Sequence, residues 1–142
     1  MMSMPDPAHE GWKSRTLPGF IGLAGPLWTK RNGNSWNYCI LADERHTNPA
    51  GMVHGGMLTT LLDHALSTIA WEASERKPCI TIALDVHFLA AARPGDLIAA
   101  SGRIIRQTSS LVFMQGDLTV DGQAIATATA ILKVIETDRT PI

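Results

Sequence analysis

The sequence predicts an α+β domain in which one long helix is wrapped by an antiparallel sheet of about six strands. Three observations carry this. Between residues 57 and 70, Met57, Leu58, Leu61, Leu62, Ala65, Leu66, Ile69 and Ala70 recur at helical spacing and form one broad apolar face. The flanking segments instead alternate with a period of two, and Asn32-Gly33 and Asp121-Gly122 punctuate them as hairpin signals. A helix this apolar cannot be left to solvent, and an antiparallel sheet curved over it is the economical cover.

Taken in order, residues 1–16 are polar, with prolines at 5 and 7, and read as a loose lead-in to a single domain over 17–142. A short strand near Leu27–Lys30 turns at Asn32-Gly33 into Ser35–Leu41, where Trp36, Tyr38 and Ile40 alternate with Asn37 and Cys39. "HTNPAGMV" then reads as a loop before the helix. Arg76 and Lys77 are expected in its last turn, where cations suit the dipole, and Pro78 is expected to end it. Over Ile80–Leu89 the pattern places Ile82, Leu84, Val86 and Phe88 on one strand face and Thr81, Ala83, Asp85 and His87 on the other. Pro94-Gly95-Asp96 makes a turn, and strands follow over Leu97–Arg106, Leu111–Val120 and Gln123–Ile135. There are no internal repeats, low-complexity runs or second domain.

Composition narrows the function. The chain has 142 residues, 45% of them hydrophobic and 18% charged, with a formal net charge of -1. The basic residues are scattered, which argues against a dedicated nucleic-acid binder. A surface this poor in charge suits partial burial in an oligomer. Cys39 and Cys79 form no pattern, so reduced thiols are the default, with Cys39 a packing thiol on its strand. No run of about 18 apolar residues exists, so no membrane-spanning helix is expected. No signal peptide is visible at the N-terminus, and the expected location is cytoplasmic.

The helix start carries the chemistry. Helices are normally capped by Ser, Thr, Asp or Asn, but this one is approached through His54-Gly55-Gly56. Either the glycines serve a tight loop-to-helix turn, or they leave backbone N–H groups open to an anion or a polarised carbonyl. Asp63 is the one formally charged residue between His46 and Trp71, with histidine counted as neutral. It sits beside the apolar stripe, where a carboxylate needs partners. It is either a helix-edge aspartate bonded to water or to another chain's backbone, or the base or nucleophile that complements a Gly55 N–H donor. Eight residues of helix span about 12 Å, too far for both groups of one chain to grip one carbonyl. If they cooperate, Asp63 must come from a second copy across a two-fold axis, giving a homodimer with two shared sites.

"NPAGMVHGGMLTTLLD" and "TIALDVHFLAAARPGDLI" together resemble the hotdog-fold acyl-CoA thioesterases, specifically the phenylacetate-pathway (PaaI-like) group. The resemblance covers about Leu17 to Ile135, and its most specific part is Asn48, His54-Gly55-Gly56 and Asp63 in that order. It implies hydrolysis of acyl-CoA thioesters by a dimer or a dimer of dimers, with coenzyme A as part of the substrate and no cofactor or metal. Gly55 would offer its N–H to the thioester carbonyl, and Asp63 of the opposite subunit would act as general base or nucleophile. Asn48 would help place the water or the carboxylate, His54 would support the loop or substrate, and Thr81 would stand near the attacking water. Gly56 and Arg106 are the substrate-binding candidates. Between the last strands, where relatives carry a glycine and a basic residue, this chain has Thr108 and Ser109. It also has alanines at 90 and 91, leaving Arg93, Arg103 and Arg106 to hold coenzyme A.

Other readings stand beside this one. A hotdog-fold hydratase or dehydratase could pair His54 with Asp63, and a non-catalytic acyl-CoA sensor would keep the pocket without turnover. Asp85 and His87 share a strand face, with His46, His54 and His64 near in sequence, but a metal needs three or four convergent ligands. Ser67, Ser109 and Ser110 lack a nucleophile-elbow sequence. Trp28, Trp36 and Trp71 read as core or interface aromatics.

Overall fold

The computed structural model describes residues 4–136; the end of the expected domain, 137–142, lies outside them. A 3-10 turn (Pro7–Glu10) leads to β1 (Lys13–Arg15) and the short helix α1 (Gly19–Ala24). The hairpin β2 (Leu27–Asn32) and β3 (Ser35–Leu41) follows, then a second 3-10 turn (Glu44–His46) and the long helix α2 (Gly55–Ala73). The strands β4 (Cys79–Phe88), β5 (Leu97–Gln107), β6 (Leu111–Val120) and β7 (Gln123–Val134) complete one seven-stranded sheet, ordered β1-β2-β3-β5-β6-β7-β4. Every pairing is antiparallel. α2 packs against one face of this sheet, the hotdog arrangement that the resemblance implied.

The apolar stripe of α2 makes the core. All eight residues of the expected face are buried, and Leu61, Leu62 and Leu66 are no more than 1% exposed. They meet Ile40, Ile98, Met114 and Leu132 from the sheet. At the closest approach the sheet has no side chains. Gly102 and Gly116 are cross-strand partners, and Leu66 lies against both. A Cβ at Gly102 would stand 2.5 Å from Leu66 Cδ2 and 3.1 Å from Ile69 Cδ1, and one at Gly116 would stand 2.9 Å from Leu66 Cδ2. The glycine pair lets the helix sink into the sheet.

Several elements differ from the sequence-based expectation. The lead-in is structured: Lys13–Arg15 pairs with Leu27–Thr29, and Trp12 is buried beneath Lys30, whose Nζ lies 5.3 Å from the ring centroid. The sheet therefore has seven strands and starts before residue 17. Helix α1, at six residues too short for a periodic signal, leaves Phe20 and Leu23 exposed. The first hairpin pairs Asn32 with Ser35, so its loop is Gly33-Asn34 rather than Asn32-Gly33. Gly33 has φ 61°, and glycine at the first loop position is the requirement of a type II′ turn. The second hairpin turns on Asp121-Gly122 as expected, both residues having positive φ.

α2 stops at Ala73, ahead of the expected end, so Arg76 and Lys77 are not in its last turn. Glu75 and Arg76 adopt left-handed φ of 56° and 61°, and the Arg76 N–H donates back to Trp71 O at 2.9 Å. The Gln107 side-chain amide donates to Ala73 O at 3.1 Å. The chain reverses on its own backbone, before Pro78 can act as the stop.

β4 carries the difference that matters most for the site. Its register with β7 shifts between Thr81 and Ala83, so Ile82 is a one-residue bulge. Thr81 is opposite buried Leu132, and Leu84 and Val86 are opposite buried Ala130 and Ala128. Thr81, Leu84 and Val86 therefore share the inner face, and Ile82 is exposed, against the simple alternation.

Gly102→Val is expected to lower stability by about 1–3 kcal/mol, because the new methyls overpack Leu66 and Ile69. Urea denaturation checks this.

Candidate active site

The loop before α2 is held on both sides. His54 N–H donates to His46 O at 2.7 Å, and Val53 N–H donates to Ala92 O at 2.8 Å. The buried His46 ring accepts the Asp43 N–H on Nδ1 at 3.0 Å, and its Nε2 lies 2.6 Å from Ala24 O. A carbonyl can only accept, so Nε2 carries the proton and the imidazole is neutral. Within the loop, Asn48 Oδ1 accepts the N–H of Ala50 at 2.9 Å and of Met52 at 3.1 Å. These two donors fix the orientation of the amide. The Asn48 NH2 group is left without a partner among the described residues.

The helix start is capped, contrary to expectation. His54 is its N-cap, and Nδ1 accepts the Gly56 N–H at 2.8 Å. A Cβ at Gly56 would stand 2.9 Å from that nitrogen, so glycine there makes room for the capping ring. Gly56 has thus spent its N–H and cannot offer it to a substrate. The N–H groups of Met57 and Leu58 donate to His54 O at 2.9 and 3.2 Å. Of the four donors at the helix start, Gly55 N–H alone has no acceptor among the described residues. Gly55 and Asn48 line one cavity of about 340 Å³, with Phe88, Leu89 and Ala92. A Cβ at Gly55 would lie 3.3 Å from Phe88 Cζ.

Asp63 lies two turns along α2 and is partly buried. The Thr81 hydroxyl donates to Asp63 Oδ1 at 2.7 Å, and the Ser67 hydroxyl is 3.4 Å from Thr81 Oγ1. Oδ2 has no partner among the described residues. Thr81 reaches the helix because the Ile82 bulge keeps it on the inner face. Beyond Ser67 opens a cavity of about 630 Å³, walled by α2 and by Tyr38, Trp36, Leu27 and Cys79.

The structure therefore gathers the candidate residues into two groups. Asn48, His54 and Gly55 form one, Asp63 and Thr81 the other, and within one chain they stay about 12 Å apart along α2. Arg106 joins neither: it is exposed on β5, at the sheet end where Gln107 meets the C-terminus of α2. Sequence reasoning missed Phe88 as the neighbour of Gly55 and Ser67 as the partner of Thr81. Ser67 was legible in principle, one turn after Asp63 in the same helical row. Asp85 and His87 are exposed, and among the described residues no three His, Cys, Asp or Glu side chains converge to hold a metal ion. Both cysteines are free thiols.

The thioesterase superfamily profile matches residues 50–127, which hold Gly55, Asp63 and Thr81. The chain belongs to the thioesterase superfamily. A Pseudomonas aeruginosa protein named as an esterase is 27% identical over 133 residues, covering 92% of this chain and 97% of the relative. Mouse acyl-coenzyme A thioesterase 13 is 35% identical over 78 residues, 54% of this thioesterase-superfamily chain and 55% of the mouse protein. A thioesterase structure from Ralstonia eutropha JMP134, described as phenylacetic acid degradation-related, is 29% identical with a TM-score of 0.65, covering 92% of each chain. Among the described residues, no helix of this superfamily member is long and apolar enough to cross a membrane.

Burial shifts several groups, two of which, His64 and Tyr38, line the larger cavity. It lowers the His64 pKa, against a smaller upward pull from the Asp63 charge, and so favours a neutral imidazole. It pushes the Tyr38 phenol from 10.0 up to about 12, offset in part by the Thr68 hydroxyl. The buried Cys39 thiol rises from 9.0 to about 12, with the Glu10 charge adding to burial.

His54→Ala is expected to cost about 1 kcal/mol through the lost cap, read by thermal unfolding. Raised values in the folded state mean that stability is fully present below pH 9 and falls as pH rises toward about 12. Tyr38→Phe is expected to make stability fall less steeply above pH 10, where the free phenol titrates.

Proposed function

We propose that the protein hydrolyses acyl-CoA thioesters in a homodimer whose two sites each combine the Gly55 half-site of one chain with the Asp63 half-site of the other. The observation that carries this is the pair of unspent groups. Among the described residues the Gly55 N–H at the positive end of α2 has no acceptor, and Asp63 Oδ2 has no donor while Thr81 holds Oδ1. Eight residues of helix separate them, so one chain cannot bring both to one carbonyl.

The chemistry follows from these groups. The Gly55 N–H, with the Asn48 amide beside it, polarises the thioester carbonyl and stabilises the oxyanion that forms. Asp63 either takes a proton from the attacking water or attacks the carbonyl itself, while Thr81 holds Oδ1 and Ser67 holds Thr81. The C–S bond then breaks and coenzyme A leaves as the thiolate; where water attacked, the free acid is formed directly, and where Asp63 attacked, water then cleaves the acyl-aspartyl anhydride, releasing the acid and restoring the carboxylate. Sulfur donates weakly into the carbonyl, so neither a metal nor a Ser-His-Asp triad is required. His54 acts as the cap that leaves Gly55 as the open donor.

The edge of the sheet supports the dimer. β4 pairs with β7 on one side and with no strand on the other among the described residues, and Ile82, Phe88 and Leu89 along it are exposed. Pairing two β4 edges about a two-fold axis sets the two α2 helices antiparallel, Gly55 of each toward Asp63 of the other. Further pairing into a dimer of dimers is compatible with this geometry.

Asp63→Asn is expected to reduce thiol release from acyl-CoAs by about a hundredfold or more. Gly55→Pro removes the donor itself: proline suits the first helical position, and His54 already has the extended backbone that precedes proline. It is expected to cost about a hundredfold to a thousandfold in kcat with the fold retained. Refolding the two inactive variants together should restore about a quarter of the wild-type rate, since half of the dimers then hold one intact site. No restoration would overturn the shared site, and undiminished turnover in Asp63→Asn would overturn the catalytic reading.

A further inference from the structure

The 630 Å³ cavity beside Asp63 is not used by the chemistry above. It follows α2 for about two turns, from His64, next to Asp63, to Trp71 and Glu72, or about 12 Å. Most of its wall is apolar, from Leu17, Leu27, Trp36, Trp71 and Pro78. A polar strip interrupts that wall. His64 and Thr68 are one turn apart on α2, and the Tyr38 ring stands edge-on to the His64 ring with centroids 5.9 Å apart. The Thr68 hydroxyl donates to His64 O at 2.8 Å and also neighbours the Tyr38 hydroxyl. Neither ring nitrogen of His64 has a hydrogen-bond partner among the described residues. The His64 nitrogens reach solvent in the cavity, so a polar group of a ligand can take the place of water there.

We infer that His64, with the Tyr38 hydroxyl, selects acyl groups bearing an uncharged hydrogen-bonding substituent, hydroxyl or keto, over plain hydrocarbon chains of the same length. The inference rests on the thioesterase reading, because the thioester must sit at Asp63 for the acyl group to enter this cavity. The pair offers a donor and an acceptor: the phenol stays protonated, and a neutral imidazole supplies one of each. Neutrality also sets the class. A charged carboxylate gains no ion pair from His64, and Glu72 at the cavity wall repels it. Arg15, the cation on that wall, directs its Nε to Thr29 Oγ1 at 3.0 Å. His64 is thus a specificity-determining residue, distinct from the groups that act on the carbonyl.

The test compares acyl-CoAs of equal carbon count: plain, terminally hydroxylated, and terminally carboxylated. In the wild-type protein the hydroxylated member is expected to exceed the plain one by about tenfold in kcat/KM, the worth of one added hydrogen bond. In His64→Leu and Tyr38→Phe that ratio should fall to within about twofold, whereas His64→Gln, which keeps a donor and an acceptor, should preserve it. Equal kcat/KM for the plain and hydroxylated members in the wild type, or an undiminished ratio in both His64→Leu and Tyr38→Phe, would overturn the inference. Preference for the carboxylated member would overturn it in favour of Arg15. Trp36 and Trp71 line the cavity, so their fluorescence in Asp63→Asn reports binding without turnover. If the wild type cleaves no member, the thioesterase reading fails. The titration then decides the cavity by itself, tighter binding of the hydroxylated member supporting the inference and equal binding overturning it.

Discussion

Burial of one face of α2 is the interaction on which the rest of the structure depends. Its eight apolar residues account for much of the core, and the sheet has a bare patch at Gly102 and Gly116, where Leu66 is accommodated. The same helix carries residues of both candidate groups. Gly55 is its first residue, Asp63 is on the flank of its buried face, and Ser67, Thr68 and Trp71 continue along that flank into the large cavity. A helix locked by its core side chains therefore fixes the axial spacing of every group it carries. That rigidity is what makes the separation of Gly55 and Asp63 a constraint and not a matter of loop adjustment.

Much of this was legible from residues alone. The eight buried positions of α2 follow from period 3.6, because an apolar face that wide has one place to go. The Asp121-Gly122 turn was legible because both residues tolerate positive φ. Gly55 and Asp63 stood out by their chemistry and spacing, whereas Asn48 and Thr81 entered only through the family resemblance; the structure sets Asn48 at the Gly55 cavity and Thr81 on Asp63. The separation of Gly55 and Asp63 along the helix followed from its rise alone.

What was not legible is physical in origin. The bulge at Ile82 leaves no compositional mark, since β-branched residues suit either strand face, so alternation placed Thr81 on the wrong side. The cap at His54 was missed because histidine is not among the usual capping residues. The outcome sharpens the original reading: the helix start is selectively open, with Gly56 N–H closed by His54 and Gly55 N–H available. Strand β1 was missed because three exposed polar residues at a sheet edge carry no pattern. Arg106 was chosen for its charge, and charge does not say where a residue will sit; it lies at the β5 end beside the C-terminus of α2.

The bulge in β4 also makes this strand intolerant of changes in length. Thr81 lies before the surplus residue, Leu84 and Val86 after it, and all three face inward only while that surplus is present. Removing one residue between them would put the two parts of the strand out of phase. The chain could keep Leu84 and Val86 in the core and turn Thr81 away from Asp63, or keep Thr81 and expel the core. Packing favours the first, so a deletion here would yield a well-folded protein with a misaligned carboxylate. In this strand, solubility and thermal stability are therefore poor guides to whether the site has survived.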